Sequence, residues 1–124
     1  MNTIAWACIV VAAALALFAM QPGPARAETC DVAGTASYYG KAHHGRLQAN
    51  GKPFNMHAMT AAMSGVPFGT KYRVTHNGKS VVVTISDRGP AKRLNRLIDL
   101  SYAAAKKLGM IDAGLARVCL ERLG

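Results

Sequence analysis

Acidic side chains are scarce in this sequence: six Asp and Glu stand against 15 Lys and Arg, a formal net charge of +9 across 124 residues. A chain of that length leaves room for one ordinary domain. A positive field of that size favours anionic partners, although the same charge also serves solubility. Cysteine is scarce as well, with only Cys8, Cys30 and Cys119. The four histidines, His43, His44, His57 and His76, include one adjacent pair but no spacing typical of a zinc or iron site. Phosphate loops, dinucleotide fingerprints and Ser-His-Asp signatures are all missing. No metal and no cofactor is therefore expected. From Cys30 onward there is no repeat, no low-complexity tract and no linker rich in Pro or Ser, so residues 28–124 read as a single domain.

The first quarter of the chain has a different character. Ile4 to Met20 is an almost unbroken apolar run, followed by Gln21-Pro22-Gly23-Pro24 and the small-residue motif Ala25-Arg26-Ala27. This layout predicts a signal peptide over residues 1–27 with cleavage after Ala27. The opening Met1-Asn2-Thr3 lacks a Lys or Arg, which leaves a retained membrane anchor as the alternative. Neither Cys8, inside the run, nor Cys30, after Glu28-Thr29, has the context of a lipid attachment site, so no lipid anchor is expected. Export to the periplasm or the medium follows, and with it a set of anionic partners that excludes nucleic acid. Cleavage removes one Arg and no acid, leaving a net charge of about +8. It also leaves Cys30 and Cys119 in an oxidising compartment, where a disulfide between them is expected; two buried free thiols are the alternative.

Local patterns then give an order of elements. Ala33 to Tyr39 is β-like with Gly at both borders, and Lys41 to Pro53 is a polar loop that holds Gly45 and Asn50-Gly51. Ala58 to Met63 is rich in helix formers and predicts one or two helical turns. Thr70–His76 and Ser80–Ser86 are β-rich and flank Asn77-Gly78, which predicts a hairpin closed by a type I′ turn, since both central positions need positive φ. Asp87-Arg88-Gly89-Pro90 breaks the second strand, and Ile98-Asp99-Leu100 is a short extended piece. Ser101 and Gly109 are placed to cap a helix over Tyr102–Leu108, and Leu115–Leu120 is a last strand. Several strands with one or two short helices favour a small barrel.

Four segments in order, Gly34-Thr35-Ala36-Ser37-Tyr38-Tyr39-Gly40, Ala49-Asn50-Gly51, Asp87-Arg88-Gly89-Pro90 and Ile98-Asp99-Leu100-Ser101, resemble the rare lipoprotein A family of peptidoglycan lytic transglycosylases. Met59-Thr60-Ala61-Ala62 and the basic hairpin match as well. The resemblance implies a mainly β fold, a six-stranded double-psi β-barrel of the kind shared with expansins and barwin-like proteins. It also implies cleavage of peptidoglycan glycan strands. Such an enzyme cuts between N-acetylmuramic acid and N-acetylglucosamine without water, the muramic 6-hydroxyl closing a 1,6-anhydro ring. One carboxyl with a raised pKa can first protonate the leaving oxygen and then accept the hydroxyl proton, while a second polar group steadies the charge on the ring.

Carried over by position, the family's Glu, His and Asp fall on Lys52, Met63 and Asp87. Two of the three are changed, and neither Lys52 nor Met63 can take over the carboxylic-acid or imidazole role directly. Asp87 is thus the expected catalytic residue, with Asp99 assisting; Lys52 could take part only if burial depressed its pKa. Each carboxylate also has a structural role open to it, Asp87 in the turn before Pro90 and Asp99 at the backbone amides near Ser101. Arg88 could meet an acidic glycan group or pair with Asp99. Tyr38 and Tyr39 point to opposite faces of a strand, so at most one of them is expected to stack on sugar while its neighbour packs in the core; core packing of both is the alternative. Asn50 is a turn residue and a substrate contact. His57, six residues before Met63, could replace the missing imidazole if its loop folds inward. The alternatives to an enzyme are a catalytically inactive glycan-binding or wall-loosening module, which the changes at Lys52 and Met63 favour, and a secreted effector using the barrel as a scaffold. A monomer is expected.

Overall fold

The computed structural model describes residues 30–90 and 94–124, so the expected signal peptide lies outside the described residues. None of the described helices is long and apolar enough to cross a membrane. The strands are β1 (Val32–Tyr38), β2 (Thr60–Ala62), β3 (Lys71–His76), β4 (Lys79–Asp87), β5 (Ile98–Leu100) and β6 (Ala116–Arg122). They close in the order β1-β5-β2-β4-β3-β6. Two pairings, β1 with β5 and β2 with β4, are parallel, and the other four are antiparallel. Among the described residues, one α-helix, α1 (Tyr102–Leu108), and a one-turn 3₁₀ helix at Lys41–His43 complete it. The interior is filled by branched side chains in period-two alternation: Val74, Val83, Ile85, Ile98, Leu100 and Leu120 are fully buried.

Two elements form where local chemistry predicts them. Asn77 and Gly78 adopt φ 48° and 77°, and the register from Lys71–Thr84 to His76–Lys79 leaves a two-residue loop. Around α1, the buried Ser101 hydroxyl accepts from Ala104 N at 3.2 Å, and Gly109, at φ 74°, donates its N–H to Lys106 O at 3.1 Å. Ala104, Ala105 and Leu108 face the core. Ser101→Ala leaves the Ala104 N–H without its acceptor in a dry environment, and is expected to cost about 1–2 kcal/mol, read as a shift in the denaturant midpoint at constant m.

The helix expected over Ala58–Met63 is instead β2. The helical preference of Ala and Met is worth a few tenths of a kcal/mol per residue, whereas β2 has a strand on each side. Ala61 is in register with Ile85 of β4 and Leu100 of β5, and Ala62 with Asp87 and Asp99. A helix here would leave both neighbouring ladders unpaired inside the barrel wall.

The ends of the chain are tied together. Cys30 and Cys119 form a disulfide with a Cα–Cα distance of 5.4 Å, beside the pairing of Ala33 with Cys119 in the β1–β6 ladder.

Candidate active site on the barrel wall

Alternation places Thr35, Ser37 and Tyr39 of the β1 segment on the outer face, and Asp99 of β5 likewise lies between the inward Ile98 and Leu100. Asp87 does not follow from alternation alone. Val81, Val83 and Ile85 point inward, so an unbroken β4 would send Asp87 inward too. The register between β2 and β4 shifts at this point, from Ala61–Ile85 to Ala62–Asp87, so Ser86 is the extra residue. The bulge turns Asp87 to the face that carries Ala62 and Asp99.

Ala62 is thus the centre of the arrangement. It is completely buried and paired with Asp87 on one side and Asp99 on the other. Two strand spacings put the Asp87 and Asp99 Cα atoms roughly 10 Å apart.

The long loop is anchored on the site by Phe54, buried and held through Gly45 N to Phe54 O at 2.8 Å and Phe54 N to Arg46 O at 2.7 Å. It delivers Ala49 N to Asp87 Oδ1 at 2.8 Å, an oxygen that also accepts from Arg88 N at 2.8 Å, while Oδ2 accepts from Tyr39 OH at 3.2 Å. Gln48 Oε1 accepts from Ser86 Oγ at 2.6 Å. Tyr39 stacks on His43, centroids 5.2 Å apart, and meets the Phe54 edge at 5.1 Å. Tyr39, His43, Arg46, Leu47, Gln48, Phe54 and Asp87 enclose a pocket of ≈ 130 Å³.

The electrostatics separate the ionisable groups. Burial, then the charges of Asp87 and Asp99, push the Tyr39 hydroxyl well above its usual range, so it stays a proton donor to Asp87. Asp99 accepts a hydrogen bond from Ser37 Oγ. Burial raises its pKa above the ordinary carboxylate value, the charges of Arg96 and His43 pull it partway back, and the Asp87 charge raises it again.

The structure brings Tyr39, Asp87 and Asp99 together and leaves the other expected site residues apart. Tyr38 packs against the core: its hydroxyl donates to Ile111 O at 2.8 Å and its ring meets Tyr102. Asn50 accepts from Lys52 N at 3.0 Å and holds its own turn, while Lys52 is exposed and does not line the pocket. Arg88 lies over the Phe68 ring at 3.9 Å and donates to Met63 O at 3.5 Å instead of pairing with Asp99. Met63 puts its side chain in the core. His57 packs on His44, centroids 5.8 Å apart, beside Tyr102 and not beside Asp87. Ser37, His43, Gln48 and Arg96 were not anticipated. Ser37 was within reach, two residues before Tyr39 on the same strand face, whereas loop folding alone places His43 and Gln48.

The closed, mixed six-stranded topology is that of a double-psi β-barrel protein. A family model described as Lytic transglycolase matches residues 31–120, and the chain belongs to this family, the rare lipoprotein A-like double-psi β-barrels. It is 51% identical over 90 residues to "Endolytic peptidoglycan transglycosylase RlpA" of Pseudomonas aeruginosa, a match covering 71% of this chain and 26% of that protein. With the protein of the same name from Vibrio cholerae it shares 50% identity over 90 residues, 71% of this chain and 34% of that one. The chain thus spans about a quarter to a third of the length of the curated relatives it matches. Among solved structures, the Streptomyces papain inhibitor aligns with TM-score 0.61 at 23% identity, over 77% of this chain and 97% of that one. The apo expansin of Clavibacter michiganensis aligns with TM-score 0.58 at 22% identity, over 74% and 50%. Those two likenesses concern the fold alone.

Proposed function

We propose that this protein is an endolytic peptidoglycan lytic transglycosylase, acting outside the cytoplasm as a monomer after loss of residues 1–27, in cell wall organisation. The observation that carries the reading is the pair of carboxyl groups flanking Ala62, one of them, Asp99, with a proton affinity raised by burial. Such a pair, its members in different environments, is what a glycan-cleaving site requires. In the reaction Asp99 gives its proton to the leaving N-acetylglucosamine oxygen as the glycosidic bond breaks. The muramic 6-hydroxyl then bonds to its own anomeric carbon and returns its proton to Asp99, so no water is consumed. Asp87, held by three donors, faces the positive charge that develops on the sugar ring. Tyr39 positions Asp87 and offers its ring to the sugar.

A second reading is supported by the exposure of Lys52 and the core position of Met63. Without the Glu and His that the resemblance calls for, the barrel could bind glycan or loosen the wall and cut nothing.

Incubation of the purified protein and its Asp87→Asn variant with peptidoglycan, intact and stripped of stem peptides, separates the two. The enzyme is expected to release fragments with anhydro-muramic ends, lighter by one water than hydrolysed ends, and the variant at least about 100-fold fewer. Co-sedimentation of both proteins with glycan and no fragments would establish the binding module instead.

A further inference from the structure

Beside the Asp99 end of the site, the wall carries a second groove of ≈ 310 Å³, lined among others by Gly34, Thr35, Arg96, Leu97 and Arg117. We propose that this groove is a subsite for a carboxylate of the glycan strand, gripped by Arg96 and Arg117; the inference rests on the glycan-cleaving reading above.

At the groove, Gly34 lets Leu97 pack against the strand backbone. An added Cβ would stand 3.0 Å from Leu97 Cβ, so Leu97 closes onto the bare backbone, with Leu97 N donating to Thr35 O at 2.8 Å. Thr35 is in register with Arg117 of β6, which brings that guanidinium to the β1 side. Both arginines line the groove and no acidic residue does. Among the described residues the only ion pair is Arg73 with Glu121, so neither groove arginine is engaged by a protein carboxylate there. Two guanidinium groups at one concavity, neither within salt-bridge distance of a carboxylate among the described residues, suit a bidentate oxyanion ligand.

Position ties the groove to the reaction. Thr35, Ser37 and Tyr39 alternate along one strand face at about 6.5 Å per step. They lead from the groove, through the Ser37–Asp99 hydrogen bond, to the Asp87 pocket. The Arg96 charge is felt at Asp99. A carboxylate in the groove therefore sits about one step from the reacting bond, a distance that suits a substituent of the muramic residue. Two sources share that chemistry, the lactyl carboxylate of an unsubstituted muramic residue and the carboxylates of a stem peptide.

The test reads binding by calorimetric titration with three probes: a stripped muramic-containing tetrasaccharide, the same oligomer carrying stem peptides, and an uncharged N-acetylglucosamine tetramer. The unmodified protein is expected to prefer a charged oligomer by about tenfold or more. Preference for the stripped probe assigns the lactyl group, and preference for the peptide-bearing one alone assigns the peptide. In the Arg96→Gln/Arg117→Gln variant that preference should fall to within about twofold while the uncharged tetramer binds as before. Lys71→Gln/Lys107→Gln removes equal charge from exposed positions outside the groove and should keep the preference. Retention of the preference by the arginine variant, or its equal loss in the lysine variant, would overturn the subsite while leaving the glycan reading intact. If the unmodified protein binds none of the probes, the glycan reading fails and the subsite with it.

Discussion

Asp99→Asn is expected to slow glycan cleavage by about 10²- to 10⁴-fold and, at neutral pH, to raise the melting temperature. The two effects have one cause. Burial raises the Asp99 pKa above the ordinary aspartate value of 3.8, so between that value and the raised one the native state binds more protons than the unfolded chain. Stability then falls as pH rises through this window and stays at its lower level above it. The charged carboxylate is a cost at neutral pH, and under the proposed mechanism the raised affinity is what lets it hold the proton for the leaving oxygen. An Asn keeps an acceptor for Ser37 Oγ and removes the charge. The stability gap between variant and parent should therefore close as pH drops below the ordinary carboxylate range. Activity of the parent should decline as pH rises through the Asp99 pKa, because the acid form is lost. Release of anhydro-muramic ends and thermal melts, both followed across about pH 3 to 8, measure this. Undiminished turnover in the variant, or a stability gap that does not change with pH, would remove Asp99 from the role of acid.

Loss of the Cys30–Cys119 bond, by Cys→Ser at both positions or by reduction, is expected to destabilise the fold by about 2–5 kcal/mol. The bridge spans 89 residues, nearly the whole folded unit. Closing a loop of that size removes about 4–5 kcal/mol of unfolded-chain entropy in the polymer model. A barrel of fewer than 100 residues has little core to compensate. The melting temperature should fall by roughly 10 to 30 °C in calorimetry with and without reductant. The β1–β6 ladder from Val32–Leu120 to Ala36–Ala116 does not depend on the sulfur atoms, so activity well below the new melting point should persist. A drop under about 1 kcal/mol would mean that the reduced unfolded chain is already restrained by other means.

How much of this was legible in the sequence differs from element to element. The Asn77-Gly78 turn and the Ser101 and Gly109 caps were readable because positive φ and orphan backbone amides are local requirements, met by residues a few positions apart. The Cys30–Cys119 pairing was readable from count and compartment once Cys8 was set aside. The ordered motifs carried the barrel and singled out Asp87 and Asp99 as candidates, and strand alternation sent Tyr38 and Tyr39 to opposite faces.

Which tyrosine reaches Asp87, which carboxylate is desolvated and what Ala58–Met63 becomes were all decided by the tertiary structure. β2 is a strand because β4 and β5 close on it from either side, against the preference of its own residues. Asp87 faces outward because Ser86 inserts a bulge whose only purpose is visible in the partner strand. The proton affinity of Asp99 comes from burial and from charges on Arg96, His43 and Asp87, three groups on separate segments. Turn and cap preferences act within a few residues and belong to the sequence; strand partners, desolvation and long-range charge exist only once the barrel has closed.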